Sequence, residues 1–229
     1  MNATKIAGWA GILVGILGVV SIPFYFVYAG PPPVWNVFAR NLLTILATAI
    51  LLVFFAGLRH HLSRVEPAIE WIASLIFGTA VTYVAVVLVA VSLEAGAVFA
   101  RPDGTVDPTT DGVLAYANVL LHGTITRTLD VVLMAALGYA TLRSGALPRA
   151  LGWAAYAIAV ANLAFVPSLF FGKDVTVFYS ADGWGNSALT ASLIIYWTFA
   201  AGVVLLRKRT PRLAGRPGGE GGVHRLEAG

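Results

Sequence analysis

Apolar positions in this chain gather in six long runs that are separated by short stretches of turn-forming and polar residues. The runs cover approximately residues 7–29, 36–58, 68–99, 113–142, 150–171 and 187–206. A helix needs about 20 apolar residues to cross the hydrocarbon core of a bilayer. Because every run reaches that length, the pattern predicts an all-α integral membrane bundle of six transmembrane helices, folded as one domain over residues 1–206.

Composition agrees with a membrane protein and excludes several kinds of site. Of the 229 residues, 58% are hydrophobic and 11% are charged, whereas a soluble domain has about 25% charged residues. The chain has no cysteine, which excludes disulfides, thiolate metal ligands and cysteine nucleophiles. None of the six runs contains a lysine for a retinal Schiff base, and the sequence has no P-loop or nucleotide fingerprint. We therefore expect no cofactor.

The positive charges lie mainly on one side of the predicted bundle. That side holds Lys5, Arg59, Arg64, Arg143, Arg149 and the arginine-rich residues from 207 onward. Cytoplasmic loops carry the excess of Lys and Arg in membrane proteins. The pattern therefore predicts an even number of spans, both termini in the cytoplasm and a multi-pass location in a bacterial plasma membrane. It also explains the net charge of +4 without a nucleic-acid partner.

The two ends of the chain receive different interpretations. The first apolar run is longer than the 7–15-residue core of a signal peptide, and we interpret it as a retained spanning helix. Residues 207–229 are rich in Gly, Pro and Arg and have no apolar periodicity. Such a segment buries too little apolar surface to fold, so we expect a disordered basic cytoplasmic tail.

Polar side chains interrupt the fourth run at a regular spacing. Asn118, His122, Thr126 and Asp130 follow one another at four-residue intervals, and Arg127 lies three residues before Asp130. In a continuous α-helix each such interval advances about 40° around the axis, which would make a slowly winding polar stripe. Ionisable residues at membrane depth are costly and indicate a functional site by default.

The Arg127 and Asp130 side chains have two interpretations. Their i, i+3 spacing permits an ion pair within one helix, which would neutralise itself and pin neighbouring helices. Alternatively they form the wall of a polar cavity, with Asp130 as proton donor or acceptor and Arg127 as an anion clamp. The first interpretation predicts that the two groups satisfy each other with no cavity beside them.

A second set of polar residues lies towards the predicted outer leaflet. Either Arg40, Glu94 and His122 converge between helices, as a site for a polar headgroup or for proton transfer, or they are separate residues that extend to the interface. The loop 172–186 is long enough to fold over this face as a lid. The candidate catalytic residues are Asp130, His122 and Glu94, and the candidate ligand-binding residues are Arg127, Arg40, Asn118 and Asn41. No metal site is expected, because the adjacent His60 and His61 do not share one helix face.

Two segments resemble a known family. They are FFAGLRHHLSRVEPAIEWIASLIFGTAV at 54–81 and LRSGALPRALGWAAYAIAVANL at 142–163. They resemble uncharacterised multi-spanning membrane proteins of high-GC bacteria, a family built on a domain of unknown function with an LPRWLGW-like entry to the penultimate helix. Here Ala150 stands in place of the tryptophan. The resemblance covers about half of the chain and implies a six-helix bundle in the plasma membrane. It implies no activity.

Three functions from different classes remain open. The first is a membrane protein that binds membrane lipid, a small hydrophobic molecule or another membrane protein. The second is an intramembrane enzyme that performs acid chemistry on a lipophilic substrate, as terpene cyclases do. The third is a small proton-linked carrier that uses Asp130, Arg127 and His122. An enzyme predicts an enclosed cavity, whereas a carrier predicts a polar path to both faces. The oligomeric state is left open.

Overall fold

The fold is described from a computed structural model that covers residues 2–28, 31–101, 103, 107–108 and 110–207. These residues form helices and turns and contain no β-strand. The α-helices are α1 (Ala3–Ser21), α2 (Val34–Val65), α3 (Glu70–Ala100), α4 (Gly112–Leu120), α5 (Thr126–Ser144), α6 (Arg149–Phe165) and α7 (Thr190–Arg207). The predicted tail lies outside the described residues, except for Arg207.

Short 3₁₀ and π segments extend these helices into six spans. The spans are Ala3–Tyr25, Val34–Val65, Pro67–Ala100, Gly112–Ser144, Arg149–Phe171 and Gly185–Arg207. Each of them is long and apolar enough to cross a membrane, and the prediction of an all-α bundle with six such helices is confirmed.

Local sequence explains where several helices begin and end. The Asn2 side chain accepts a hydrogen bond of 3.0 Å from the backbone N–H of Lys5 and caps α1. The first and fifth spans finish in 3₁₀ turns that have Pro23 and Pro167 near their starts, because proline removes a helical N–H and ends the regular α-helical ladder. Gly145 ends α5 in the left-handed conformation, with φ of 63°, where glycine carries no Cβ penalty.

The spans are arranged as a ring in which each packs on its neighbours in sequence, and the last span packs on the first. Glycines allow this closure. A Cβ on Gly11 of α1 would stand 2.9 Å from the Thr198 carbonyl oxygen, and one on Gly202 of α7 would stand 2.8 Å from the Gly8 carbonyl oxygen. Small residues at such positions let two backbones approach closely in a membrane. The close α1–α7 contact therefore depends on the absence of a side chain at Gly11 and at Gly202.

Large apolar side chains fill the half of the bundle that carries the 145–148 turn. Phe54, Phe55, Leu58, Leu62, Leu133, Leu137 and Leu205 are each at most 1% exposed in one hydrophobic cluster. We call this part the packed half. The opposite part, towards residues 26–28, 31–33, 107–108 and 172–184, is called the hollow half because it contains a cavity.

The fourth span is not the continuous helix that its spacing predicts. Residues Leu121–Ile125 form a π-helical turn, and Gly123 has non-helical backbone angles (φ −87°, ψ −112°). The estimate of 40° per four-residue step is therefore wrong across this segment, because it assumes an unbroken α-helix. The break offsets α4 from α5 at the level of His122.

Candidate functional site

The hollow half contains a partly open cavity of about 520 Å³. Its walls come from the first, second, third, fourth and sixth spans, and Pro32, Val175 and Trp184 lie at its outer end. Leu51 and Thr198 line its deepest part. Ser187 and Thr198 lie eleven residues apart along the sixth span, so the cavity extends roughly 16 Å along the bundle axis. Below Leu51, the apolar cluster of the packed half closes it.

Arg40 and Glu94 form a buried ion pair on the cavity wall. Arg40 extends from α2 and donates through Nη2 to Oε1 of Glu94 on α3. The two residues are 3% and 2% exposed, so neither side chain reaches the interface alone. The Arg40 guanidinium also lies 4.5 Å from the ring centroid of Tyr25. The interpretation of these residues as separate interfacial side chains is therefore wrong.

The break in the fourth span brings His122 onto the same cavity. His122 lines the wall with Asn118 before the break and Thr126 after it. Gly123 packs against the start of the sixth span, where an added Cβ would stand 3.2 Å from Nδ2 of Asn186. The His122 ring accepts or donates no hydrogen bond within the described part of the chain. Its nitrogens are therefore available to a molecule in the cavity.

Arg127 connects three spans at the inner part of the cavity. Its Nη1 donates to Oδ1 of Asn162 at 3.0 Å and to Oγ1 of Thr190 at 2.5 Å. Its Nη2 donates to the backbone oxygen of His122 at 3.0 Å. That oxygen also accepts a hydrogen bond of 2.5 Å from Oγ1 of Thr126. Arg127 thus supplies donors to backbone that the break has exposed, as interrupted membrane helices require.

Asp130 completes an ion pair behind Arg127. Its Oδ2 lies 3.4 Å from Nη1 of Arg127, and Asp130 is fully buried. Neither Asp130 oxygen has a hydrogen-bond partner within the described residues. Arg127 lines the cavity, whereas Asp130 is not among its lining residues. The expectation of a self-satisfied pair with no cavity beside it is therefore wrong, because Arg127 lines the cavity and the Asp130 oxygens lack hydrogen-bond partners in the described residues.

Two further carboxylates line the outer part of the cavity. Asp107 comes from the loop between the third and fourth spans, and Asp182 comes from the loop before the sixth. Partial burial and the charge of Asp107 raise the pKa of Asp182 to about 7, although Lys173 acts in the opposite direction. Asp182 is therefore ionised only in part at neutral pH.

The loop 172–184 contributes to the open end of the cavity, and its role as a lid stays a prediction. Tyr179 donates through its hydroxyl to the Ala164 carbonyl, and Phe178 stacks edge-on against Trp184 with 4.5 Å between ring centroids. Hydrogen bonds from Thr176 lower the pKa of Asp174 in the same loop. Val175, Asp182 and Trp184 are its contributions to the cavity lining.

The structure brings most of the predicted site residues together. Arg40, Glu94, Asn118, His122 and Arg127 all line one cavity. The candidates Asp130 and Asn41 are buried but are not among the described lining residues.

Sequence reasoning missed several functional residues, namely Tyr25, Tyr83, Asp107, Asn162, Asp182 and Thr190. Tyr25 was available as an aromatic residue at a span end, whereas Tyr83 lies in the middle of the third span. No periodic signal identified Asp107 or Asp182, because both lie in loops.

The two histidines of the packed half belong to a different environment. His61 lies within 3.4 Å of both Oγ1 of Thr4 and the Ala146 carbonyl oxygen. His60 borders a surface depression with Arg59 and Glu70, which form an ion pair of 2.8 Å. In the described part of the chain no three His, Asp or Glu residues are grouped as metal ligands.

No protein-family model matches this chain, and neither a curated protein nor a solved structure matches it. The resemblance to the family of high-GC bacteria therefore stays a prediction.

Proposed function

We propose that this multi-pass membrane protein binds a small amphiphilic molecule in the cavity of its hollow half. The distribution of Lys and Arg favours a bacterial plasma membrane with the cavity open to the outside. The molecule would enter beside the loop 172–184.

The proposal is supported by the volume of the cavity together with the residues that line it. A cavity of about 520 Å³ lies in the range of ligand sites, about 300–1,000 Å³, which are mostly apolar with a few convergent polar groups. Val14, Leu51 and Ile194 supply apolar wall, while the Arg40–Glu94 pair and His122 supply polar groups. This arrangement suits a molecule with one polar group and an apolar body.

The same geometry gives less support to acid catalysis. Asp130 does not contribute to the described cavity lining, and the Glu94 carboxylate is occupied by Arg40. Of the three candidate acids, His122 alone has a side chain that lines the cavity without a hydrogen-bond partner in the described residues.

A carrier also receives less support, because the polar lining does not continue into the packed half. Phe54, Leu58 and Leu205 lie beneath the cavity, and each of these side chains is 0% exposed. A polar path to the second face would require this cluster to separate. The binding function needs no such movement.

A single-cysteine variant tests the proposal, since the chain has no cysteine of its own. Ala191 lines the cavity, and Ala191→Cys adds one sulfur atom there. The full chain in phosphatidylcholine nanodiscs is treated with the uncharged reagent methyl methanethiosulfonate. Decyl compounds with trimethylammonium, carboxylate or maltoside head groups are then added. We expect at least one to slow modification by about fivefold or more, because an occupied site excludes the reagent.

Val177→Cys provides the matched control, because Val177 lies in the loop at 45% exposure and outside the cavity lining. None of the decyl compounds should protect this position. Equal protection at both cysteines, or protection at neither, would contradict the proposal.

A further inference from the structure

Both arginines of the cavity wall already have partners within the protein. Arg40 bonds to Glu94, and its guanidinium lies 4.5 Å from the ring centroid of Tyr25. Nη1 of Arg127 lies 3.4 Å from Oδ2 of Asp130. A buried charge that loses its partner is strongly destabilising. A ligand with an uncharged head group leaves both ion pairs intact, whereas a charged one would compete with a partner that is already in place.

The two carboxylates that the loops contribute to the wall are also under the influence of the protein itself. Asp107 has an interaction of its own. Asp182 is ionised only in part at neutral pH, and the charge of Lys173 acts on its carboxyl. Neither carboxylate is therefore a ready counter-ion for a ligand.

Several hydroxyl groups on the same wall bond to carbonyls of their own helices. Thr48 donates to the Thr44 carbonyl at 2.8 Å, and Ser192 donates to the Ala188 carbonyl at 2.6 Å. Such bonds within a helix are usual for Ser and Thr. These hydroxyl groups need no ligand to satisfy them.

Asn118 differs from these groups because its amide oxygen has no donor. The residue is 5% exposed and lines the cavity, and its Oδ1 has no hydrogen-bond partner among the described residues. Inside a helix the backbone N–H groups are used in the helical ladder, so rotation of the side chain does not supply a donor. A buried acceptor without a donor is costly. A donor from a ligand would therefore stabilise this part of the wall.

The His122 ring lies four residues further along the same span and is equally open to the cavity. Its nitrogens have no hydrogen bond within the described part of the chain. A neutral imidazole has one donor and one acceptor nitrogen, and an amide has groups of both kinds. A hydroxyl group also donates and accepts. Hydroxyl groups can therefore pair with both side chains.

We propose that the ligand is an uncharged amphiphile whose hydroxyl-bearing head group is held by Asn118 and His122, while its apolar body fills the deeper part of the cavity. This inference rests on the binding function proposed above. The head group can belong to a free amphiphile or to an uncharged membrane lipid such as a diacylglycerol, since both present a hydroxyl group to the same two side chains.

The head-group contacts can be measured through protection of the cysteine of Ala191→Cys. Decyl maltoside carries hydroxyl groups, whereas decyltrimethylammonium has no hydrogen-bond donor or acceptor. For each compound, the concentration that halves the rate of modification by methyl methanethiosulfonate is determined in phosphatidylcholine nanodiscs. Asn118→Leu and His122→Phe, each combined with Ala191→Cys, should raise this concentration for decyl maltoside by about threefold to tenfold, as the loss of a hydrogen bond requires. The concentration for decyltrimethylammonium should stay unchanged.

Thr48→Val is the matched control, because Thr48 lines the same cavity but its hydroxyl already bonds to the Thr44 carbonyl. It should leave the concentration for decyl maltoside unchanged. Thermal unfolding without any ligand is a second measurement. Asn118→Leu removes a buried acceptor without a donor, so the variant should unfold at an equal or higher temperature. A lower unfolding temperature, with an equal change for both decyl compounds, would assign Asn118 to the fold and overturn the head-group assignment.

The outcomes separate this inference from the function on which it rests. Protection by decyltrimethylammonium or decanoate but not by decyl maltoside overturns the uncharged ligand and leaves the binding function standing. An unchanged maltoside concentration in either Asn118→Leu or His122→Phe overturns the placement of the head group. If no decyl compound protects the cysteine, the binding function itself is overturned. Nanodiscs with and without dioleoylglycerol distinguish the two sources, because a lipid ligand protects the cysteine without any additive.

Discussion

The two halves of this bundle use burial in opposite ways. In the packed half, Phe54, Leu58 and Leu205 are apolar side chains that fill the space between spans. In the hollow half the same spans carry Arg40, Glu94 and Arg127 around a cavity of about 520 Å³. Protein interiors are normally close-packed. The hollow half therefore lacks the close packing that the same helices have a few turns away. This difference is expected of a binding site that is supported by a rigid base.

Polar contacts replace apolar packing as the links between spans in the hollow half. Arg40 joins the second span to the third, and Arg127 joins the fourth to the fifth and sixth. Removing one member of such a contact leaves the other buried without a partner. Removing an apolar side chain from the packed half leaves only a void.

The largest effect should come from breaking the Arg40–Glu94 pair. Arg40→Met leaves the Glu94 carboxylate buried and unpaired, and we expect a loss of about 3–5 kcal/mol in the free energy of unfolding. Thermal unfolding of the purified protein in detergent measures it.

The double variant Arg40→Met with Glu94→Leu is the control for this prediction. It removes both charges, so it should recover most of the lost stability. A double variant as unstable as the single one would show that the pair acts through something other than charge burial.

A matched pair of leucines on α2 compares packing in the two halves. Leu58 is fully buried in the packed half, whereas Leu51 is 6% exposed and borders the cavity. Leu58→Ala should cost about 2–5 kcal/mol, and Leu51→Ala should cost less because one of its sides already faces open space. Both values come from the same unfolding measurement. Equal losses of unfolding free energy would mean that Leu51 is packed as tightly as Leu58, which would contradict an open cavity beside it.

The smallest expected effect is the pH dependence of protection by decyltrimethylammonium, the probe with the trimethylammonium head group. The pKa of Asp182 is about 7, so its carboxyl gains a proton as the pH falls and attracts a cation less. From about pH 8 to about pH 6, the affinity for decyltrimethylammonium should fall by roughly threefold to tenfold. Protection of the cysteine of Ala191→Cys measures this affinity.

Asp182→Asn should remove the pH dependence. Asp107, Glu94 and Lys173 influence the same carboxyl. A dependence that persists in the Asn variant would show that Asp182 is not its source.

Much of this architecture follows from the order of apolar and polar residues. Six apolar runs give six spans because length and hydrophobicity alone decide whether a helix crosses a bilayer. Arg40, Glu94 and His122 share a depth that can be counted along each helix. Their convergence on one cavity could be offered only as one of two alternatives, because depth does not determine which face of a helix a side chain occupies.

The break at Gly123 is the feature that sequence reasoning missed. A single glycine within an apolar run is compatible with a continuous helix. What makes it a break is its surroundings, where Asn186 approaches closely and Arg127 bonds the His122 carbonyl. Asp107 and Asp182 were missed for a related reason, since the position of a loop over a cavity depends on tertiary packing.

The close contact between α1 and α7 has a consequence for the order of the chain. Gly8 lies beside Gly202 and Leu206, so residues 3 and 207 are on the same face of the bundle. Because the last span packs on the first, the ring of spans is closed, and the ends of α1 and α7 are close enough for a short linker. We expect a circularly permuted chain that joins residue 207 to residue 3 by a short linker, and opens at Gly145, to keep the contacts between α1 and α7. Such permutation is tolerated where ends are close.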